Sequence, residues 1–65
     1  MPAFQQKDVP PEWIFLQWFE DYQEAASAVV GFQSEIRRNR KLKDYKVSTV
    51  VQWSSGYALY AIPPA

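Results

Sequence analysis

The sequence contains no cysteine and no histidine. Without cysteine the chain can form neither a disulfide bond nor a thiolate zinc site, and without histidine it lacks the other common zinc ligand. Serine residues are present, but no imidazole is available to activate them as nucleophiles. The sequence therefore predicts no metal site and no cofactor.

An excess of charge of one sign is also lacking, because seven basic residues balance seven acidic ones. Only a local cluster of charge could then attract nucleic acid or an anionic lipid surface. The longest apolar stretch, 13–19, is far shorter than the roughly 20 residues that span a bilayer, and residues 1–13 do not resemble a secretory signal. We therefore expect a cytoplasmic protein that does not bind membranes.

Aromatic residues are abundant: three Trp, four Tyr and four Phe make up 17% of the 65 residues. Each of these side chains can bury about 150–250 Å². A chain of this length forms one domain, whose small core hardly offsets the conformational entropy lost on folding. Since no disulfide or thiolate zinc site can add stability, we expect the chain to form a homodimer.

Residues 1–11 are polar and rich in proline, which predicts a flexible N-terminal arm before a single domain over 12–65. The first predicted strand covers 12–19 and is rich in aromatic and branched side chains. Both its odd and its even positions are apolar, so neither face of this strand is expected to be fully solvated.

A helix is predicted to follow, with Asp21 as its N-cap and Glu24 placed for a capping box. Apolar residues then recur at spacings of three and four. These residues are Tyr22, Ala25, Val29, Phe32 and Ile36. The helix is expected to fray between 38 and 42, where Asn39 can adopt a left-handed conformation. Gly31 within the helix indicates either close packing or a position that is not optimised for stability.

Two further strands are predicted, over 45–53 and 57–62, joined by a tight turn at 54–56. The first of them carries one set of same-parity residues that we expect on one face. This set is Val47, Thr49, Val51 and Trp53. The expected fold is a small α+β domain in βαββ order, with one helix packed on a three-stranded antiparallel sheet of order 1-3-2.

Catalytic chemistry has little support in the sequence. Glu20, Asp21 and Glu24 could act as paired carboxylates, but a helix N-terminus favours negative charge and accounts for Asp21 and Glu24. Gly31 and Gly56 are isolated, so no phosphate-binding loop is present. We predict no catalytic residues and no enzyme activity, and the alternative left open is a subunit that completes an active site with a partner chain.

A basic segment follows the predicted helix and suggests an alternative function in nucleic-acid binding. Its cations could contact several phosphates, although they would equally complement the helix dipole and keep the chain soluble. The candidate nucleic-acid-binding residues are Arg37, Arg38, Arg40, Lys41 and Lys43.

The helix can cover only one face of the sheet, although the strands carry apolar residues on both faces. An exposed apolar face usually marks an interaction site. We expect it to serve a homodimer, a different protein partner or stacked nucleobases, and the leading hypothesis is a small non-catalytic regulatory module that binds another macromolecule. The candidate partner-binding residues are Trp13, Phe15, Trp18, Trp53, Tyr57 and Tyr60.

Overall fold

A computed structural model describes residues 4–64 as one helix packed on one sheet. In chain order the elements are β1 (Phe4–Gln5), a short 3-10 helix (Gln6–Asp8), β2 (Ile14–Phe19), α1 (Tyr22–Arg38), β3 (Lys46–Val47), β4 (Val51–Gln52) and β5 (Tyr57–Ile62). The predicted α+β class is confirmed.

The sheet is arranged around β5, its central strand. β2 pairs with one edge of β5, and β3 and β4 pair in succession with the other edge, all in antiparallel orientation. β1 adds to the outer side of β4 in parallel. The predicted placement of 57–62 between 12–19 and 45–53 is retained. The three-stranded, fully antiparallel sheet written as order 1-3-2 needs correction, because residues 4–5 supply a further, parallel strand and the predicted strand 45–53 is divided into two.

The division between β3 and β4 results from a bulge around Ser48. Val47 opposes Ala61 whereas Val51 opposes Ala58, so the register shifts by one residue between the two strands. A shift of one residue exchanges the faces of a strand. Val47 accordingly packs on the helix side and Val51 on the opposite side, and the predicted common face for 47, 49, 51 and 53 is wrong.

Ser48 supplies the hydrogen bonds that this bulge needs. Its side chain is only 2% exposed. Its Oγ accepts a hydrogen bond from the backbone N–H of Tyr60 (3.1 Å) and donates one to the carbonyl of Thr49 (2.8 Å). The hydroxyl thus pairs a buried amide of the central strand at the point where the β-ladder is interrupted.

A second bulge lies in β2, where the register shifts between Phe15 and Gln17 and leaves Leu16 as the extra residue. Leu16 and Phe19 pack on the helix side of the sheet. Phe15 and Trp18 differ in parity, yet the shift places both on the opposite face. The bulge therefore explains why apolar residues occupy both parities of this strand.

The helix begins as predicted, since Asp21 is its N-cap and accepts a hydrogen bond from the backbone N–H of Gln23 (3.1 Å). At the other end the prediction for Asn39 is wrong. Its φ of −90° is extended rather than left-handed, and its side chain instead accepts from the N–H of Lys41 (2.9 Å). An Asx turn therefore ends α1.

Most of the predicted apolar stripe of α1 faces the sheet. Ala25 and Ile36 are fully buried, while Val29 and Phe32 are half-buried against the cluster around Leu59. The remaining member, Tyr22, is 54% exposed and lies at the rim of the core.

The face of the sheet away from α1 is covered by residues 6–13, which we call the strap. The strap runs from β1 at one edge of the sheet to β2 at the other. Val9 packs on the cluster of Val51, Ala58 and Tyr60, and Trp13 packs beside it. The flexible arm was predicted over 1–11, of which residues 1–3 lie outside the described residues. Val9, within the same range, is half-buried against the cluster of Val51, Ala58 and Tyr60.

Candidate protein-binding surface

Five of the six aromatic residues predicted to bind a partner share the face of the sheet that the strap crosses. They are Trp13, Phe15, Trp18, Trp53 and Tyr60. Tyr57 lies on the helix face, where its ring meets that of Tyr22 edge to face at 5.6 Å. The structure therefore separates Tyr57 from the other candidates.

Four of these rings form a contiguous aromatic layer, namely those of Trp13, Phe15, Trp53 and Tyr60. The centroid of the Phe15 ring lies 5.6 Å from that of Trp53 and 5.7 Å from that of Tyr60, and the centroid of the Trp13 ring lies 6.2 Å from that of Tyr60. Edge-to-face and tilted pairs at such distances are favourable for aromatic rings. Tyr60 is only 8% exposed as a result, so its ring is not accessible to a stacked nucleobase.

Apolar side chains remain exposed along β2, on both faces of the sheet. Phe15 is 48% exposed and Trp18 is 38% exposed, and Ile14 on the same strand is 41% exposed. We call these three residues of β2 the edge patch. Ile14 was not among the predicted site residues, which were all aromatic.

Trp18 is held in place by the turn that precedes β5. A Cβ atom built at Gly56 would overlap the Trp18 indole and would lie 2.6 Å from the carbonyl oxygen of Phe19. The chain can pass this closely only because residue 56 has no side chain. The indole is thereby positioned against the turn, with part of its surface still open to solvent.

The backbone of β2 has a free edge. Within residues 4–64, β2 pairs with β5 alone. Natural edge strands are commonly protected by lysine, proline, inward-pointing charges or a bulge, and of these β2 has only the bulge at Leu16. Residues 13–19 carry no charge at all. An apolar surface therefore adjoins unpaired backbone groups along this strand.

The basic segment lies at the end of α1 and in the turns that follow it. Its five cationic side chains are exposed, and none forms an ion pair within the described part of the chain. Two turns define its path, with the N–H of Leu42 bonded to the carbonyl of Asn39 (3.1 Å) and the N–H of Tyr45 bonded to the carbonyl of Leu42 (2.9 Å). Arg37 and Arg38 are the last two residues of α1, and the other three cations lie in the turns that follow it.

The acidic residues do not converge on a site. Asp21 is occupied as the helix cap. Among residues 4–64 no group of three or more Asp or Glu side chains is arranged to hold a metal ion. A cavity of about 360 Å³ between the strap and the turn after β4 is lined by amides, Ser54, Trp53 and Lys7, so it brings no two titratable groups together.

The described residues include no helix with the length and apolar character that crossing a bilayer requires. No family model matches the chain, and no curated protein or solved structure matches it either.

Proposed function

We propose that this chain is a small non-catalytic protein-binding module that uses the edge patch on β2 as its contact surface. The observation that carries the proposal is the coincidence of three exposed apolar side chains with a free strand edge. Buried aromatic anchors dominate the energy of protein interfaces, and a strand edge offers backbone hydrogen bonds to an incoming chain.

A protein partner fits this surface better than a small molecule does. The edge patch runs along the free edge of a strand, whereas small ligands occupy enclosed apolar cavities with a few convergent polar groups. Phe15 is supported from behind by the rings of Trp53 and Tyr60, which limits the entropy that it loses on binding. The homodimer expected from the sequence stays a prediction. A second copy of the chain would occupy the same surface as a different protein partner.

The test is affinity capture from a lysate of the source organism with a double variant, Phe15→Ser with Trp18→Ser. A saturable protein species should be retained by the wild-type chain and lost with the double variant. Val30→Ser is the matched control, because Val30 is 77% exposed on the outer side of α1 and its replacement leaves the edge patch intact. Equal retention by wild type and double variant would refute the proposal.

A second candidate function is nucleic-acid binding, which the unpaired state of the five cations favours. Replacing Arg38 and Arg40 by glutamine should then weaken binding to a short oligonucleotide at low salt and reduce the slope of log Kd against log salt by about two. Absence of binding at low salt would exclude this function without affecting the first.

A further inference from the structure

The edge patch is bounded by acidic residues at both ends of β2. Glu12 precedes the strand and Glu20 and Asp21 follow it, and all three are exposed. Neither Glu12 nor Glu20 is in an ion pair within the described residues. Between them, 13–19 is uncharged, so an apolar strand is flanked by acidic residues in the segments before and after it.

We propose that β2 binds an extended segment of a different protein as an added strand, and that this segment has an apolar centre with lysine or arginine at both ends. The inference rests on the proposed function and specifies the chemistry of the partner. Glu12 and Glu20 are eight residues apart in the sequence, but Glu12 lies in the turn closed by the N–H of Trp13 and the carbonyl of Pro10, before β2 begins at Ile14. Because of this turn, the two carboxylates are closer together than the roughly 26 Å that eight fully extended residues would span. The cations of the partner should therefore be separated by at most about eight residues.

Charge also distinguishes this partner from a second copy of the chain. A two-fold axis between two β2 edges would pair the strands antiparallel. In any register that overlaps the two edge patches fully, Glu12 of one chain would lie near Glu20 or Asp21 of the other. Like charges placed opposite one another destabilise a strand pair, whereas opposite charges stabilise it by about 0.2–1 kcal/mol. The acidic ends thus disfavour self-pairing and favour a basic partner.

The side-chain pattern of the partner follows from the two faces of the sheet. Phe15 and Trp18 lie on the strap side, and Ile14 and Phe19 on the helix side. Alternate residues of an added strand would extend each of these surfaces, since strand side chains alternate in direction. The bulge at Leu16 interrupts the regular edge, so the longest regular run open to pairing is Gln17–Phe19.

The test compares two short synthetic peptides that share a core of alternating valine and threonine. One carries lysine at both ends and the other carries glutamate. Fluorescence anisotropy of the labelled peptides should give a Kd for the lysine peptide that is lower by about fivefold or more at low salt. The difference should disappear in about 1 M salt, where the screening length falls to roughly 3 Å.

Variants of the protein separate charge from strand pairing. Glu12→Gln with Glu20→Gln should abolish the preference for lysine, while Glu35→Gln, an exposed substitution on α1, should leave it unchanged. N-methylation of the backbone amides along one edge of the lysine peptide removes the hydrogen-bond donors of that edge. The methylated peptide should not bind through the edge that faces β2. Circular dichroism of each variant verifies that the fold is retained.

Equal binding of the two peptides, binding of neither, or a homodimer that blocks both peptides through β2 would each overturn the inference. These results are distinguishable from failure of the proposed function. The wild-type chain could capture a protein that the Phe15 and Trp18 double variant does not capture, while neither peptide binds. In that case the chain is a protein-binding module that does not use strand addition. If capture also fails, both proposals are wrong.

Discussion

Gly56 passes in direct contact with the indole of Trp18 and the backbone of Phe19. The contact, rather than an unusual φ angle, requires glycine here, because within the described residues no glycine has a positive φ. Gly31 is the opposite case. A Cβ atom at Gly31 would meet no other atom within 4 Å. The sequence left two explanations for this glycine, close packing or a position that is not optimised for stability, and the structure supports the second.

The two glycines form a matched pair for mutation. Gly56→Ala should lower the free energy of unfolding by about 1–3 kcal/mol, because the new methyl group displaces Trp18 or the strand behind it. Gly31→Ala should raise it by about 1 kcal/mol through helix propensity. Urea denaturation followed by circular dichroism measures both, and a neutral Gly56→Ala variant would contradict the close approach of Trp18.

Ser48 offers a second test at the residue scale. Ser48→Ala removes the acceptor for the buried N–H of Tyr60 and should lower the free energy of unfolding by about 1–3 kcal/mol. Ser34→Ala, at an exposed position of α1, is the control and should be neutral or slightly stabilising. Equal stability of the two variants would mean that the hydroxyl does not support the bulge.

The strap is the element whose role differs most from the sequence prediction. Proline and polar residues indicated an arm outside the core, yet Val9 packs against Val51 and Ala58. Val9→Asp should therefore destabilise the domain by about 1–3 kcal/mol, since it places a charge against apolar side chains. Lys7→Asp, at an exposed position of the same segment, should change stability by less than about 0.5 kcal/mol. If the two variants unfold at the same urea concentration, the strap does not contribute to the core.

The elements differed in how well local patterns predicted them. The helix could be predicted from the sequence because its signals are local: Asp21 acts within one turn, and the apolar stripe repeats over a few turns. The bulges at Leu16 and Ser48 were not, because a bulge depends on which residue of β5 lies opposite, and pairing between distant segments leaves no local periodicity. The face assignments of Val51, Phe15 and Trp18 follow from those bulges.

At the scale of the whole molecule, the sequence correctly indicated that a helix could cover only one face of the sheet, but it could not reveal the cover on the other face. That cover is a short segment whose only local signals are proline and polarity. Because the strap covers part of this face, some of the aromatic residues are buried and others stay exposed. Tyr60 becomes part of a second core, and Phe15 and Trp18 remain at the free edge with Ile14. The surface open to a partner is therefore a strand edge rather than a broad aromatic platform.

Site-directed photocrosslinking tests this claim most directly, and the absence of cysteine makes any introduced thiol a unique point of attachment. A benzophenone attached to Gln17→Cys, on the exposed edge of β2, is compared with one attached to Val30→Cys on the outer side of α1. Our account predicts that the label at position 17 forms a discrete crosslink to a partner protein, and that an excess of unlabelled wild-type chain suppresses this crosslink. The label at position 30 should form no such crosslink. The same species from both positions, or none from position 17, would contradict the assignment of β2 as the contact surface.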